Sequence, residues 1–593
     1  MCGIIGVLET KQRNNLASDT AELLKKLEYR GYDSWGLAVI GNQIDVDKKI
    51  GKVTTTSIIK DANIAIGHSR WATHGGVTDE NAHPHLDCKG EIAVVHNGII
   101  ENYLELKEQL IKTGHVFKSE TDTEIIPHLI EVEFVKHGDL YAAVKSTIKL
   151  LKGTFGLVVA SSKAPNIIIT ARKDSPIAIA INGTRAAISS DPIAFAEYNK
   201  AYFLENGEMS ELRIKDGKLV VEFYDFLIDK QVQKKETPLN LEKQDSELGA
   251  FNHFMEKEIN GEPDTLLNIL NQDFEKVKDI AQDIAMAKHV VLPVCGTSRH
   301  AALVGKHIIN QVTGKNIEAM IASEFTYFAD KLTPETLVVA VSQSGETSDV
   351  LECTRKAKKN GCRVIAIVNT PTSSLARESD KVMYINCGTE VAVASTKAFI
   401  NQVAAFYLLA HCMAGKLDEA ATDITNISKL IKVNLPYFDL KAREIAQVLK
   451  HKSDAYYLGK GVNFAIALEG ALKLKEISYI HAEGMPAGEL KHGTLALVEK
   501  ETPVIIIAPT DYTHSDIISS GIETKARGAT IIGVSNEKHP SFDYFVQLPT
   551  LKNKLYYPII ETIPLQLIAY YTAKELGRNI DKPRNLAKSV TVR

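Results

Sequence analysis

The sequence has no run of about 20 apolar residues, the length a helix needs to cross a bilayer. Its opening, MCGIIGVLET, has no basic stretch ahead of the apolar one and meets polar KQRNN almost at once, so a signal peptide is not expected. Cysteine is sparse. The seven cysteines are scattered at 2, 88, 295, 353, 362, 387 and 412, and no CxxC pair occurs. That spacing argues against a disulfide framework or a zinc site and for a reduced, cytoplasmic protein. An excess of one charge is missing too: a net charge of -4 over 593 residues offers no field for nucleic acid or an anionic membrane. No GxxxxGK[ST] loop is present, which excludes a P-loop nucleotide site. At about 100–200 residues per domain, this length predicts three or four soluble domains.

Residues 2–228 read as one strand-rich unit. Short apolar runs (IIGVL, GLAVI, IAIGHS, IAVVHNG, GLVVA, NIIIT, AIAI) alternate with polar turns, and helical stretches fall near 17–28, 101–113 and 121–136. Residues 229–250 are polar, lack an apolar face and read as a linker. The remainder alternates buried strands with amphipathic helices and contains an internal repeat. VLPVCGTSRHAALVG returns as YYLGKGVNFAIALEG, with Gly296 and Gly305 matching Gly461 and Gly470. KKNGCRVIAIVN returns as KARGATIIGVSN at nearly the same offset. The expectation is two doubly wound α/β domains, 275–430 and 445–583, with a tail at 584–593.

Several residues of the first unit suit acyl chemistry. Removal of Met1 is expected, because cysteine is small, and would leave Cys2 with a free α-amine of pKa ~7.7–8.0 beside its thiol. Nucleophile and base would then be one residue. His96-Asn97-Gly98 ends the run IAVV, where the Asn97 amide and the Gly98 N–H suit an oxyanion hole. Arg70, in HSRWATHG with Trp71, Thr73 and His74, can hold a carboxylate on two prongs, and Asp122 can hold an ammonium. Taken singly, each has a plainer reading: a strand start, a turn, a surface charge, a helix N-cap.

MCGIIGV, LEYRGYDSWGLAV, GHSRWATHG, NAHPH, VVHNGIIEN and SETDTE resemble the glutaminase domain of the glutamine amidotransferases with an N-terminal nucleophile, whose fold is an αββα sandwich. The resemblance implies Cys2 as nucleophile and Asn97 and Gly98 as the oxyanion hole. It implies that Arg70 and Asp122 grip the glutamine carboxylate and amine, aided by Thr73 and His74, and that Trp71 gates ammonia. Trp35 departs from the pattern, where a small residue is expected.

In the first repeated copy, VVAVSQSGETSDVLECTRKA reads strand, hydroxyl-rich loop, helix. Ser342, Gln343, Ser344 and Thr347 can bond an anion at the positive end of the helix. The same run also suits an ordinary serine-rich turn. Thr297, in CGTS, opens a second strand–loop–helix unit that could reach the same ligand. The second copy has APTD in place of SQSGE, so one phosphate site per chain is expected, in the first copy. Lys473 and Glu476 stand three apart and face one side of a helix, where they form an acid–base pair or a surface ion pair.

CGTS, ASEF, SQSGET, SSLARESD, GTEVAVASTKAF, ALEGALKLKEISYIHAE, GELKHG and PRNLAKSVTV resemble the paired sugar-isomerase domains of the glutamine–fructose-6-phosphate aminotransferases. That resemblance implies Glu476 as the base between sugar C1 and C2 and His492 as the helper in ring opening. It implies Lys588 as an imine-forming lysine with Lys473 nearby, supplying a cation to lower its pKa. Thr297, Ser342, Gln343, Ser344 and Thr347 would bind the phosphate and Val393 the sugar. Ala392, Arg299 and Thr494 depart from the pattern. Glutamine and fructose 6-phosphate are the implied substrates, with no metal or other cofactor, no nucleic-acid or membrane partner, and a homodimer as the implied assembly. A closed passage for NH3 is expected, gated by Trp71 and the tail. The rivals are a sugar-phosphate deglycase or deaminase, or a sugar-phosphate sensor, with a silent glutaminase. An asparagine synthetase would need an SGGxDS loop, which is absent.

Overall fold

The structure, a computed structural model, describes residues 2–239 and 248–590. Among the described residues the chain forms two compact units, 2–239 with 589–590, and 248–588.

The first unit is built by period-two alternation. Along the strand Gly3–Arg13, Ile4 and Leu8 face one way and Ile5 and Val7 the other. Ile4 and Leu8 join Ile64, Ile66, Val95, Val158 and Ile188 in a core between an eight-stranded and a seven-stranded sheet. Ile5 and Val7 pack instead under the helix Leu16–Lys25, against Leu16, Leu24, Trp35 and Leu37. On the far side, helices Tyr103–Lys112, Ile125–His137 and Leu140–Ile148 cover the second sheet through Leu106, Leu110, Ile126 and Leu129. The order of layers is therefore αββα. Trp35 is fully buried on the helix side, so its bulk is absorbed in the outer core.

Part of the expected linker is sheet. Lys230–Val232 pairs with Phe223–Asp225, and Thr237–Pro238 pairs with Lys200 and Ala201. Edge strands need backbone partners but no apolar face, which is why their polar sequence hid them. Residues 240–247 of that stretch lie outside the described residues.

The second unit holds the repeat. One parallel sheet orders its strands as Glu318–Ile321, His289–Val294, Thr336–Ser342, Arg363–Val368 and Lys381–Tyr384. The other repeats this as His481–Pro486, Asp454–Gly459, Pro503–Ile507, Thr530–Ser535 and Tyr544–Gln547. The expected boundaries at 430 and 445 both fall inside one 33-residue helix, Leu417–Leu449. Its Ile424, Ile431, Phe438 and Ile445, spaced by sevens, belong to a core that both halves share. The helix Phe254–Asn268, ahead of residue 275, packs into the same core. No helix among the described residues is long and apolar enough to cross a membrane.

Candidate functional site

Cys2 precedes the strand Gly3–Arg13, which pairs antiparallel with Ala62–Arg70 in a register that sets Gly3 opposite Ser69. The thiol therefore lies against the chain just beyond Arg70. The Trp71 N–H donates to Cys2 Sγ at 3.2 Å, and the thiol lies 3.5 Å from the Trp71 carbonyl. Burial pushes the Cys2 thiol pKa up, so it needs a proton acceptor to become a nucleophile.

Asn97 meets Cys2 from the strand Ile92–Ile100. Its Nδ2 donates to the Cys2 carbonyl at 2.9 Å. An amide nitrogen carries two hydrogens, so one remains for a substrate oxygen. The orientation of this amide is set by His68, whose Nε2 lies 3.1 Å from Asn97 Oδ1 and 3.0 Å from the His96 carbonyl. Both partners are acceptors, which requires the proton on Nε2. Burial, with the Arg70 charge behind it, pushes the His68 pKa down to about 3, so the ring is neutral. His83 stacks on it at 4.1 Å between centroids. Gly98 has φ +133°, and a Cβ there would lie 2.1 Å from the Thr154 carbonyl oxygen. Only glycine fits.

Arg70 is buried and donates to the carbonyls of Gly76 (3.0 Å), His74 (2.6 Å) and Gly75 (3.1 Å). The fork expected to grip a carboxylate is, in this ligand-free structure, the clasp of the loop carrying Thr73 and His74. The physical reason is that a buried guanidinium takes the nearest carbonyls available. Thr73 is exposed, Trp71 and His74 are half-buried, and the His74 ring stands edge-on to Tyr103. Asp122 is buried and accepts the Ile100 N–H at 2.7 Å. It is not the N-cap of the helix that follows, which is Glu124.

In the second unit, Ser342 ends a strand and the helix Ser348–Lys359 begins after five intervening residues. Ser342 Oγ accepts the Gly345 N–H at 3.0 Å and lies 3.1 Å from Thr347 Oγ1. Ser344 Oγ accepts from Glu346 N–H at 3.2 Å, and the Gln343 carbonyl accepts from Asn369 N–H at 3.2 Å. Gly345, at φ +67°, would put a Cβ 2.2 Å from Ser373 Oγ. The corresponding loop of the second copy holds a carboxylate: Asp511 accepts from Thr513 N–H (2.8 Å), Thr513 Oγ1 (2.7 Å) and Asn463 Nδ2 (2.9 Å). An anion is unwelcome beside it.

Thr297 bonds across to the second copy. Its hydroxyl donates to Glu469 Oε1 at 3.0 Å and accepts from Lys473 Nζ at 3.1 Å. The reason is the demand of a fully buried carboxylate, which Glu469 satisfies also with His300 Nδ1 at 2.7 Å and Lys473 Nζ at 3.3 Å. Glu469, Lys473 and Glu476 form a row on one helix face, with Lys473 Nζ 2.8 Å from Glu476 Oε2. Burial alone would lower the Lys473 pKa. The charges of Glu469 and Glu476 outweigh it and raise the pKa, so Lys473 is a fixed cation.

Lys588 meets a carboxylate whose charge also reaches Lys473. Its ammonium is bonded to the buried Glu390 carboxylate and donates to the Ala392 carbonyl at 2.8 Å. A carboxylate, not a cation, faces this amine, because Glu390 also accepts from Thr396 N–H (2.9 Å) and Ala398 N–H (3.1 Å) and is fixed at the start of the helix Lys397–Met413. Burial would raise the Glu390 pKa, but Lys588 holds it down to about 2. Val393 lies on the same loop, and its N–H donates to the Asp581 carbonyl at 3.0 Å. His492 is exposed on a short turn, and among the described residues none hydrogen-bonds to its side chain. Arg299 and Thr494 touch neither cluster through a hydrogen bond among the described residues, and Ala392 is buried beneath the Lys588 contact. Sequence reasoning missed His68, His300, Glu390 and Glu469. Glu469 alone had a local signal, four residues before Lys473 on the same helix.

A family model described as a glutamine amidotransferase domain matches residues 68–197, and one described as a SIS domain matches 283–412 and 448–575. The chain is 41% identical to the glutamine–fructose-6-phosphate aminotransferase [isomerizing] of Thermococcus kodakarensis, over 100% of both chains. It is 40% identical to the protein of the same name from Thermotoga maritima, again over 100% of each. Among solved structures, the C-terminal domain of glucosamine-fructose-6-phosphate aminotransferase from Francisella tularensis matches with a TM-score of 0.53 and 34% identity, covering 57% of this chain and 100% of that one.

Proposed function

The chain belongs to the glutamine–fructose-6-phosphate aminotransferase (isomerizing) family, and on that premise we propose which of its residues carry the reaction. The reaction is the glutamine-dependent conversion of fructose 6-phosphate to glucosamine 6-phosphate, with release of glutamate.

Cys2 is the nucleophile of the first half. Its thiol passes a proton to the α-amine freed by loss of Met1 and attacks the glutamine amide carbon. Asn97 Nδ2 and the Gly98 N–H hold the oxyanion, where one such donor is worth about 3–4 kcal/mol. The C–N bond breaks, NH3 leaves, and water cleaves the thioester to glutamate. Arg70, Thr73 and His74 close on the substrate carboxylate and Asp122 on its amine. For Arg70 this requires the loop carbonyls to give up part of their hold. Delivery as NH3 rather than NH4+ is the chemical requirement that coupling the two halves must meet, with Trp71 as the gate.

In the second half, Ser342, Gln343, Ser344 and Thr347 hold the phosphate and Val393 borders the sugar, while Thr297 positions Lys473 and Glu469. His492 assists ring opening. Lys588 leaves its ion pair with Glu390, loses a proton and takes the C2 ketone as an imine, with release of water. NH3 replaces the lysine at C2. Glu476 removes a proton from C1 to give an enolamine and returns one to C2, while the C1 hydroxyl proton passes to nitrogen. The C1 aldehyde and C2 amine of glucosamine 6-phosphate result. Lys473, a fixed cation 2.8 Å from Glu476, orients that base.

The observation that carries this reading is the row Glu469–Lys473–Glu476, two fully buried charges beside a partly exposed carboxylate on one helix face. The proposal assigns the glutaminase to the first unit, the isomerase to both halves of the second, and a homodimer as the working form. It places the enzyme in the cytoplasm, on the strength of seven free thiols. The test is Cys2→Ala. Glutamate release should vanish while isomerisation of the sugar phosphate persists, and retained glutaminase activity would remove Cys2 from its role. A silent glutaminase, as in the deglycase and sensor readings, predicts no glutamate with or without fructose 6-phosphate.

A further inference from the structure

Four side chains that the reaction does not use converge on the helical side of the first unit. Cys88 lies in the turn after His85–Leu86, closed by the Gly90 N–H on the Asp87 carbonyl at 3.2 Å. His115 stands where the chain leaves the helix Tyr103–Lys112, turned there by Gly114 at φ +95°. His128 and Glu131 are three residues apart on the helix Ile125–His137 and so neighbour each other on one face.

Their donor atoms meet. Cys88 Sγ is 3.4 Å from His128 Nδ1 and 3.5 Å from His115 Nδ1, and the two Nδ1 atoms are 3.2 Å apart. Glu131 Oε2 lies 3.5 Å from His115 Nδ1, and one donor atom from each of the four residues falls within 4.8 Å of the others. Around a tetrahedral zinc ion, with Zn–N of about 2.0–2.1 Å and Zn–S of about 2.3 Å, neighbouring ligand atoms stand about 3.3–3.6 Å apart. The Cys–His and His–His separations are of that length.

The surroundings fit as well. The outer nitrogen of His128, Nε2, is buried without a hydrogen bond, and the nearest carboxylate oxygen, Glu124 Oε1, lies 3.9 Å away, within a small shift of the carboxylate–imidazole bond that supports a metal-bound histidine. Glu124 is itself held by the N–H groups of Lys118 (2.8 Å) and Ser119 (2.6 Å). The other oxygen of Glu131, Oε1, is 3.5 Å from Lys89 Nζ, and Oε2 accepts from the Cys88 N–H at 3.3 Å.

We propose that Cys88, His115, His128 and Glu131 bind one zinc ion. Thiolate, two imidazoles and a carboxylate are the donor set zinc prefers, and four protein ligands make a closed, structural site. The ion would staple the 87–90 turn and the end of one helix to the helix Ile125–His137, and so steady the segment that carries Asp122. The missing CxxC does not exclude such a site, because its ligands are drawn from three separate elements and leave no local motif.

The test uses the full-length chain, stripped with a chelator, dialysed, loaded with Zn2+ and desalted. Elemental analysis should find one zinc per chain in the wild type and at least tenfold less in Cys88→Ser, at an exposed position, and in His115→Ala, with circular dichroism showing each variant folded. Co2+ in place of Zn2+ should give a thiolate-to-cobalt charge-transfer band that Cys88→Ser abolishes, and chelation should lower the wild-type melting temperature until zinc is restored. Zinc retention below a tenth of an equivalent, equal retention in Cys88→Ser, or a cobalt spectrum without the thiolate band would each overturn the proposal.

Discussion

Replacing Glu390 by glutamine should undock the C-terminal tail. Lys588 reaches this carboxylate from the end of the second unit, beyond further contacts along the tail. Val393 N–H bonds the Asp581 carbonyl at 3.0 Å, and Arg584 donates its N–H to the Tyr479 hydroxyl at 2.8 Å with its guanidinium over that ring. Glu390 is fully enclosed and its pKa sits at about 2, against an ordinary 4.5. Lys588 is the largest cause of that depression, with the Thr396 and Ala398 N–H groups adding to it. Breaking a buried ion pair by removing one partner costs about 3–5 kcal/mol. Glutamine keeps an acceptor for Thr396 and Ala398 but offers Lys588 no charge. The docked-to-free ratio of the tail should fall about a hundredfold. The pH dependence has a definite sign. A carboxylate with a depressed folded pKa stabilises above its unfolded value, so docking holds above about pH 4.5 and weakens as pH falls through about 2. Hydrogen exchange over 585–590 and tryptic cleavage after Arg584 and Lys588 read docking directly. Both should accelerate strongly in Glu390→Gln, with loss of glucosamine 6-phosphate synthesis and retention of basal glutaminase activity. Exchange within twofold of the wild type would refute the assignment of Glu390 as the tail's anchor.

Gly98→Ala should cost at least a hundredfold in glutaminase kcat, the usual effect of losing one oxyanion donor, because its Cβ would lie 2.1 Å from the Thr154 carbonyl. Isomerisation of the sugar phosphate is the internal control and should be unchanged. Ser344→Ala with Thr347→Ala should raise the KM for fructose 6-phosphate at least tenfold and leave the KM for glutamine alone, and a sugar phosphate seen bound at Pro509–Asp511 would contradict the single-site reading. Glu258, whose pKa burial and the neighbouring Glu390 push up to about 8, is neutral in the fold. Its stabilising share is complete below about pH 4.5 and is lost as pH rises through about 8. Glu258→Gln should therefore flatten the decline in melting temperature across that interval, and an unchanged slope would show that Glu258 is already ionised.

The features legible in the sequence were local or periodic. Alternation in IIGVL and IAVVHNG identifies strands because successive side chains face opposite sides of a sheet, and the 165–167 offset identifies two copies because each copy must repeat its buried runs. Cys2, Asn97-Gly98 and the Ser342–Thr347 loop stand out because their chemistry depends on neighbours in the chain. Polar edge strands at 230–232 and 237–238, and a helix running through the expected boundary between copies, were hidden because they obey the shared core and the sheet edge rather than local composition. Tertiary structure alone decided the partners of the buried charges. Glu469 finds Thr297 across 172 residues and Lys588 finds Glu390 across 198. A charge taken out of water must be met by whichever donor or counter-charge the packing brings within about 3 Å, and that choice is made by the fold as a whole.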